Sequence, residues 1–175
     1  MGLADHHLIL GGARSGKTRH GMALAEAIGP TRCYVATAEA GDAEMAERIA
    51  RHKAERGLGW VTVEAPRDLA AALAQVAADA VLVDCLTLWL SNLMHAGADP
   101  SEETAGLIAA LERCDMPVIL VSNEVGLGLV PETLLGRRFR DEQGRLNQRV
   151  AAAVGRVDFV AAGLPIALKP PYRAP

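Results

Sequence analysis

The sequence predicts a three-layer α/β fold, in which helices cover both faces of a mostly parallel sheet. Short aliphatic runs alternate along the chain with alanine-rich segments of helical periodicity. Half of the 175 residues are hydrophobic and only 3% are aromatic, a composition typical of helices packed on buried parallel strands. Because this length suits one well-buried core, we expect a single domain over residues 1–169 and a flexible tail over 170–175.

The elements alternate in the order that a parallel sheet requires. The predicted strands are HLILGG, CYVATA, WVTVEA, AVLVDC, VILVSN and RVDFVAAG. The predicted helices are TRHGMALAEAIG, DAEMAERIARHKAERG, RDLAAALAQVAA, SEETAGLIAALERC and LLGRRFRDEQGRLNQRVAAAVG. Connections of this kind place ligand-binding residues at the carboxyl ends of the strands. The final LKPPYRAP contains three prolines and is expected to be frayed.

Charge and cysteine content exclude several classes of function. A net charge of −3 and a pI near 5.9 give no basic excess, so we expect neither a nucleic-acid nor a membrane partner. Cys33, Cys85 and Cys114 are widely spaced and form no CxxC pair, which argues against disulfides and a structural zinc site. The N-terminus has no secretion signal, and no apolar run is long enough to span a bilayer. These features predict a cytoplasmic protein.

A glycine-rich loop carries the strongest functional signal. GGARSGKT fits G-x-x-x-x-G-K-[ST] and lies between a predicted strand and a predicted helix, which makes an ordinary turn the weaker interpretation. In such loops the backbone N–H groups bind phosphate oxygens, the lysine reaches the β and γ phosphates, and the threonine hydroxyl binds Mg²⁺. The fold prediction is therefore the P-loop NTPase type, RecA-like. The candidate nucleotide-binding residues are Gly11, Gly12, Ala13, Arg14, Ser15, Gly16, Lys17 and Thr18, with Lys17 also a catalytic candidate.

Asp84 is the second candidate ligand for Mg²⁺, after Thr18. It ends the buried run AVLVD, where P-loop enzymes place an acidic metal ligand. A helix N-cap is the alternative role for such a residue, but the phosphate loop favours the metal. Residue 85 is Cys, whereas many ATP-hydrolysing motors place a glutamate base there. This difference favours group transfer over steady hydrolysis.

His52 is a candidate catalytic residue on the second predicted helix. Met45, Ile49 and His52 recur at i, i+4 and i+7, so the imidazole shares the face that packs inward. From the residues alone, a satisfied core histidine is the more common explanation. His20 is expected to be structural or to make a minor contact, and the remaining histidines look like loop residues: His6, His7 and His95.

Two further groups admit both a functional and a structural explanation. Asn123 and Glu124 follow the strand VILVS, which predicts a position at the rim of the phosphate loop. Glu124 could orient a water or accept the proton of a substrate hydroxyl, but simple turn residues fit nearly as well. One side of the last helix carries charges that favour a solvated face over a contact with substrate phosphate or a neighbouring subunit. These charges are Arg138, Asp141, Arg145 and Arg149.

Several segments together resemble one enzyme family. They are GGARSGK, YVATA, RIARHKAERGLGW, VLVDCLT, VSNEVGLGLVPE and FRDEQGRLNQRVAAA, which extend in this order from Leu8 to about Lys169. This set resembles the bifunctional adenosylcobinamide kinase/adenosylcobinamide-phosphate guanylyltransferases of cobalamin biosynthesis. The resemblance implies phosphorylation of adenosylcobinamide by ATP or GTP. It implies next a transfer of GMP from GTP to that phosphate, giving adenosylcobinamide-GDP and pyrophosphate.

The resemblance also implies site residues and partners. The match RIARHKAER makes His52 the residue through which GMP passes, and a covalent intermediate splits one difficult displacement into two easier ones. An oligomer, a trimer or larger, is implied as well. The implied nucleotide contacts are Ala36, Thr37, Ala38, Lys53, Ala54, Glu55, Arg56, Glu64 and Asp84.

Two competing functions remain compatible with the sequence. A simple small-molecule or nucleoside monophosphate kinase would use the loop with His52 in a structural role, and would take no label from the α-phosphate of GTP. A nucleotide-dependent binding module or switch would hold GTP without turning over an acceptor.

Overall fold

The computed structural model of the chain describes residues 3–39 and 57–169. The strands are β1 (His7–Gly11), β2 (Arg32–Ala36), β3 (Trp60–Glu64), β4 (Ala80–Asp84), β5 (Val118–Asn123), β6 (Arg156–Ala161) and β7 (Leu164–Lys169). The helices are α1 (Lys17–Ile28), α2 (Leu69–Gln75), α3 (Leu86–His95), α4 (Pro100–Glu112) and α5 (Leu134–Ala153), and a 3₁₀ turn covers Leu3–Asp5. The helix predicted over 42–57 falls almost wholly outside the described residues, as does the tail predicted over 170–175.

The seven strands form one sheet in the order β3-β2-β4-β5-β1-β6-β7. Every neighbouring pair is parallel except β6 and β7. β5 therefore separates β1, which leads into the phosphate loop, from β4, which ends at Asp84. The register sets Gly11 beside Asn123 and Asp84 beside Ala36 and Val121, so β1 and β5 extend two residues beyond β2 and β4 at the same edge of the sheet. The predicted mostly parallel α/β sheet is confirmed.

Helices cover both faces of this sheet, which explains why its central strands are apolar throughout. α1 packs on one face over Ile9, Leu82 and Ile119, while α2 to α5 pack on the other. Strands buried on both faces read as continuous aliphatic runs because neither side meets water. Gly21 brings α1 close to the sheet, since an added Cβ would lie 2.8 Å from Leu82 Cδ1.

One helix of the structure, α3, was not among the predicted elements. It follows β4 directly, and its residues are apolar on almost every side. The aliphatic run of the strand therefore continues into the helix without a change of period that would mark the boundary. Leu86, Trp89, Leu90 and Leu93 of α3 are buried in the core.

β7 corrects the expectation that the chain is frayed from Leu168 onward. It pairs antiparallel with β6 through a tight turn at Ala162 and Gly163, both of which have positive φ. Lys169 at its end donates to the carbonyl oxygens of Ala151, Ala152 and Val154. A cation at this position satisfies carbonyls that the end of α5 leaves open.

The expectation of loop histidines is wrong for His7 and His95, whereas His6 does lie in the short connection before β1. His7 is the first residue of β1, and its Nε2 lies 3.0 Å from Asp158 Oδ2 under α1. His20 also hydrogen-bonds Asp158 Oδ2, at 2.8 Å, which agrees with the structural role expected for it. His6 is fully buried before β1, and His95 is the last residue of α3. Partners within the protein therefore hold the buried rings of His6 and His7, whereas His95 is exposed.

The environment of His6 predicts that the protein becomes less stable in mild acid. Val118 N–H donates to its Nδ1, and Leu111 O lies 2.8 Å from its Nε2, so the neutral ring satisfies both partners. Burial lowers the pKa of His6, and burial does the same for His7. The unfolded chain therefore binds more protons than the folded chain, and the free energy of unfolding should fall as the pH drops below about 6.5.

Urea unfolding at pH 7.5 and pH 5.5 checks this prediction. We expect the wild type to be less stable at pH 5.5 than at pH 7.5. His6→Gln should start less stable and show a smaller loss, whereas His95→Gln, at an exposed position, should keep the full loss. Equal pH dependence in His6→Gln and the wild type would contradict the assignment.

Candidate active site

The phosphate loop joins β1 to α1 and has the backbone shape of an anion site. Arg14 and Gly16 have φ of 56° and 96°, which turns successive N–H groups toward the inside of the loop. Gly16 is the N-cap of α1 and brings no side chain to the first N–H groups of that helix. Ser15 Oγ is buried and has no hydrogen-bond partner among the described residues. These groups fit the oxygens of a phosphate chain.

Lys17 directs its ammonium group over this loop. Its side chain is largely buried, with 9% of the residue exposed, and its Nζ donates to Gly12 O at 3.0 Å. The amine therefore lies above the loop backbone, where the β and γ phosphates of a nucleotide would bind.

The β6–β7 turn supports the phosphate loop from outside. Gly163 N donates to Ser15 O at 2.8 Å, and a Cβ on Gly16 would lie 3.2 Å from Gly163 Cα. Two glycines thus allow the two backbones to touch. The sequence did not predict this contact because it did not predict β7. The only sign of the contact in the sequence is Gly163, which follows two alanines.

Substitution of Gly163 is expected to weaken nucleotide binding. Its φ is +80°, and an added Cβ would lie 3.1 Å from Arg19 Nη2. In Gly163→Ala the strain of about 1 kcal/mol or more should shift the turn and the loop that rests on it, lowering GTP affinity about tenfold.

Titration calorimetry with GTP and thermal unfolding measure the two effects separately. Gly97→Ala is the matched control, because Gly97 has a φ of +74° with open space around its Cβ and lies after α3. Both variants should lose stability, and only Gly163→Ala should lose affinity. Wild-type affinity in Gly163→Ala would show that the turn does not shape the loop.

Thr18 and Asp84, the two predicted metal ligands, lie together. Thr18 Oγ1 donates to Asp84 Oδ2 at 3.0 Å, which brings the start of α1 to the end of β4. Mg²⁺ prefers oxygen ligands at 2.0–2.1 Å, so neighbouring ligands in an octahedron lie about 2.9 Å apart. In the part of the chain that is described, no group of three or more His, Cys, Asp or Glu side chains is arranged for a metal. The pair therefore fits a Mg²⁺ ion that phosphate oxygens and water would complete.

Cys85 follows Asp84 and is buried. Burial raises the pKa of its thiol to about 11, and the neighbouring charge of Asp84 adds to the effect. The neutral thiol is neither a base nor a nucleophile near pH 7. This agrees with the expectation that the glutamate base of ATP-hydrolysing motors is missing here.

The YVATA segment reaches the same edge of the sheet. Thr37 is fully buried, and its Oγ1 donates to Cys85 O and accepts from Cys85 N, both at 2.8 Å. Asn92 Nδ2 donates to Thr37 O, so Thr37 ties the end of β2 to the body of α3 as well as to its N-cap, Cys85. The nucleotide contacts implied for Ala36, Thr37 and Ala38 stay predictions, and the Thr37 side chain is already used within the protein.

Glu64, Asn123 and Glu124 end or follow strands at the carboxyl edge of the sheet. Glu64 ends β3 beside Ala36 in the register, on the strand farthest from the phosphate loop. Asn123 ends β5, and Glu124 N donates to Gly11 O at 3.1 Å, so both border the loop as predicted. Their chemical roles stay predictions.

A buried polar network that sequence reasoning missed fixes the end of β5. Ser122 Oγ donates to Asn147 Oδ1 at 2.7 Å, and Gln143 Nε2 donates to both of those oxygens at 3.0 Å. Asn147 Nδ2 then donates to Asn123 O at 3.1 Å. The sequence pattern that could have indicated this network is the pair of amide side chains Gln143 and Asn147, four residues apart on the same face of α5 as the buried Leu146. Paired buried amides of this kind hold a backbone in one position.

The charged side of α5 is largely solvated, as predicted. Arg138, Asp141 and Arg145 are exposed, and Arg145 Nη1 pairs with Glu142 Oε1 at 2.6 Å on the same helix. Arg149 donates to Ser101 O at 2.8 Å and so joins α5 to α4.

Five further predicted site residues belong to the segment between β2 and β3 in sequence. His52, Lys53, Ala54, Glu55 and Arg56 lie outside the described residues. Their roles stay predictions that rest on the sequence.

The loop, the Thr18–Asp84 pair and the strand order define a P-loop nucleotide-binding protein of the RecA-like type. The chain belongs to the cobinamide kinase / cobinamide phosphate guanyltransferase family, whose model matches residues 7–168. The predicted family is thereby confirmed, and with it the prediction that the chain is an enzyme of the kinase and guanylyltransferase type.

Curated relatives agree along nearly the whole chain. The bifunctional adenosylcobalamin biosynthesis protein CobP of Pseudomonas aeruginosa is 50% identical, with 93% of this chain and 96% of that protein covered. The bifunctional adenosylcobalamin biosynthesis protein CobU of Salmonella typhimurium is 43% identical, with 93% and 98% covered.

Solved structures resemble the chain in fold alone. An ATPase of a bacterial type III secretion system superposes with a TM-score of 0.57 at 10% identity, over 94% of this chain and 57% of that one. A Pyrococcus horikoshii OT3 protein gives 0.54 at 10% identity, over 97% and 88%. The three-layer P-loop fold prediction is confirmed. Within the described ranges, the helices are all too short or too polar to cross a membrane.

Proposed function

We propose that the chain performs two successive transfers on one acceptor. ATP or GTP first phosphorylates the aminopropanol hydroxyl of adenosylcobinamide, and GTP then gives GMP to that phosphate, which yields adenosylcobinamide-GDP and pyrophosphate. The observation that carries the proposal is the phosphate loop with Lys17 above it and the Thr18–Asp84 pair beside it, in a chain of this family.

In the phosphorylation step the acceptor hydroxyl oxygen attacks the γ-phosphorus. The bond from the γ-phosphorus to the β,γ-bridging oxygen breaks, and the nucleoside diphosphate leaves with the bonding electrons. The loop N–H groups and Lys17 stabilise the charge that develops on the phosphates. We assign the uptake of the hydroxyl proton to Glu124, whose backbone N–H donates to Gly11 O and whose carboxylate accepts from Gly126 N. Thr18 and Asp84 would hold Mg²⁺, which neutralises triphosphate charge when bound.

In the guanylylation step a neutral imidazole nitrogen of His52 attacks the α-phosphorus of GTP. The bond to the α,β-bridging oxygen breaks and pyrophosphate leaves, so GMP is held on the histidine through a P–N bond. A phosphate oxygen of adenosylcobinamide phosphate then attacks the same phosphorus. The P–N bond breaks, and the histidine returns to its neutral form.

Product analysis tests the proposal. The protein is incubated with Mg²⁺, adenosylcobinamide and ATP, then with GTP, and the corrinoids are identified by mass spectrometry after each step. We expect adenosylcobinamide phosphate first and adenosylcobinamide-GDP second. Phosphorylation without the second product would favour the kinase alternative. GTP binding with no modified corrinoid would favour the switch.

We further propose that one domain over residues 1–169 works as a cytoplasmic homo-oligomer, a trimer or larger. The three cysteine thiols are all free and buried, which suits a reducing compartment. The segment between β5 and α5 and the first turn of α5 expose aliphatic side chains that a second copy could cover. They are Leu127, Leu129, Val130, Leu134 and Leu135. Light scattering on the purified protein measures the assembly state.

A further inference from the structure

Asp84 receives a second hydroxyl besides that of Thr18. Tyr34 Oη donates to Asp84 Oδ2 at 2.8 Å, so both hydroxyls reach the same carboxylate oxygen from different elements. Thr18 belongs to the phosphate loop and is itself a ligand in the proposed metal site. The position of Thr18 therefore depends on the bound nucleotide. Tyr34 lies on β2, outside the loop, and its hydrogen bond to Asp84 does not have that dependence.

The sheet register explains how Tyr34 reaches Asp84. Tyr34 lies beside Leu82 on β4, and Asp84 follows Leu82 by two residues on the same face of the sheet. That face is the one that α1 covers, so Tyr34, Asp84 and Thr18 meet in one layer. The tyrosine hydroxyl extends along the sheet to the carboxyl end of the neighbouring strand.

The ring of Tyr34 is held firmly by its surroundings. Tyr34 is 5% exposed, and its ring packs against Trp60 with centroids 6.3 Å apart and planes 73° apart. Trp60 in turn lies under the guanidinium of Arg32 at 5.4 Å, and its Nε1 donates to Glu26 of α1 at 3.3 Å. A packed ring keeps its hydroxyl in one place at little cost in entropy.

We propose that Tyr34 is a positioning residue that orients Asp84 for the divalent cation of the nucleotide. This inference rests on the proposed function, because it takes Thr18 and Asp84 as the residues that hold the cation. Tyr34 donates a hydrogen bond to Asp84, and the Asp84 carboxylate binds the cation. Hydrogen-bond partners of this kind typically contribute 10- to 100-fold to metal affinity.

Two effects of removing the hydroxyl oppose each other. Tyr34→Phe frees the Asp84 side chain to rotate, which weakens cation binding. It also removes a donor that withdraws charge from the carboxylate, which would strengthen cation binding. Because a misplaced ligand loses most of its bond to a small ion with strict octahedral geometry, the orientation effect is expected to dominate.

Electron paramagnetic resonance of Mn²⁺ tests the proposal without catalysis. The Mn²⁺ affinity is measured in the presence of the β,γ-imido analogue of GTP. We expect Tyr34→Phe to bind Mn²⁺ about tenfold more weakly, with unchanged affinity for the analogue in EDTA. Thr104→Val is the matched control, because it also removes one buried hydroxyl, which donates to Pro100 O at 2.6 Å in α4. This control should bind Mn²⁺ like the wild type.

A second measurement leaves Tyr34 in place. The chain has two tyrosines, so Tyr172→Phe protein labelled with 3-fluorotyrosine gives one ¹⁹F signal, from Tyr34. Adding Mg²⁺ to the complex with the analogue should shift this signal. If Mg²⁺ leaves the ¹⁹F signal of Tyr34 unchanged, the role of Tyr34 is overturned. It is also overturned if Tyr34→Phe binds Mn²⁺ as tightly as the wild type or more tightly. Absence of Mn²⁺ binding to the wild-type complex would instead overturn the metal assignment itself, and this inference with it.

Discussion

Lys17→Met is expected to abolish both product-forming steps. The amine lies 3.0 Å from Gly12 O over the phosphate loop, where it would neutralise charge on the triphosphate in either transfer. Methionine keeps an unbranched apolar side chain, shorter by one atom, and removes the charge. Loss of one charge-stabilising group of this kind costs about 10²- to 10³-fold in rate. Both rates should fall by at least that factor in assays that follow each corrinoid product.

Lys169→Met provides the matched control for this result. Lys169 carries the same change of side chain but contacts the end of α5, in a different part of the fold. It should lose some thermal stability and retain both activities at a temperature where it is folded. A Lys17→Met enzyme that keeps either rate within a few-fold of the wild type would contradict the role given to this loop.

His52→Ala is expected to separate the two activities. Removing the nucleophile should lower formation of adenosylcobinamide-GDP on the order of 10⁴-fold, because the covalent route is lost. Phosphorylation of adenosylcobinamide by ATP should stay within a few-fold of the wild type, since the γ-phosphorus step does not use the imidazole.

The control for His52→Ala is His95→Ala, which removes an exposed histidine at the end of α3. It should leave both products unchanged. If His52→Ala still forms the second product at the wild-type rate, His52 belongs to the core and GMP travels by another route. If it loses both products equally, the substitution acts on the fold.

The residues near the phosphate chain could be predicted from the sequence because their signals are local. The loop motif fixes Lys17 and Thr18 within eight positions, and the apolar run before Asp84 marks the end of a buried strand. Parallel topology then places the ends of β1 and β4 at one edge of the sheet. The contact of 3.0 Å between Thr18 and Asp84 follows from that topology.

The supporting contacts could not be predicted because they join residues distant in sequence. The bond from Gly163 to Ser15 requires β7, whose partner strand and turn leave only weak local signs. In the sequence Tyr34 looks like an ordinary strand residue. Only the β2–β4 register, which pairs Tyr34 with Leu82, brings it close to Asp84. The α3 boundary is hidden because strand and helix are both buried, so that hydrophobic periodicity does not change between them.

A pulse and chase with GTP labelled at the α-phosphate tests the central claim most directly. The protein is incubated with labelled GTP and Mg²⁺, freed of nucleotide, and then mixed with adenosylcobinamide phosphate. The proposed function predicts label bound to the wild-type protein, absent from His52→Ala, stable to alkali and labile to acid. On the chase that label should move to adenosylcobinamide-GDP. Unlabelled protein that still phosphorylates adenosylcobinamide would contradict the claim and leave a kinase with one activity.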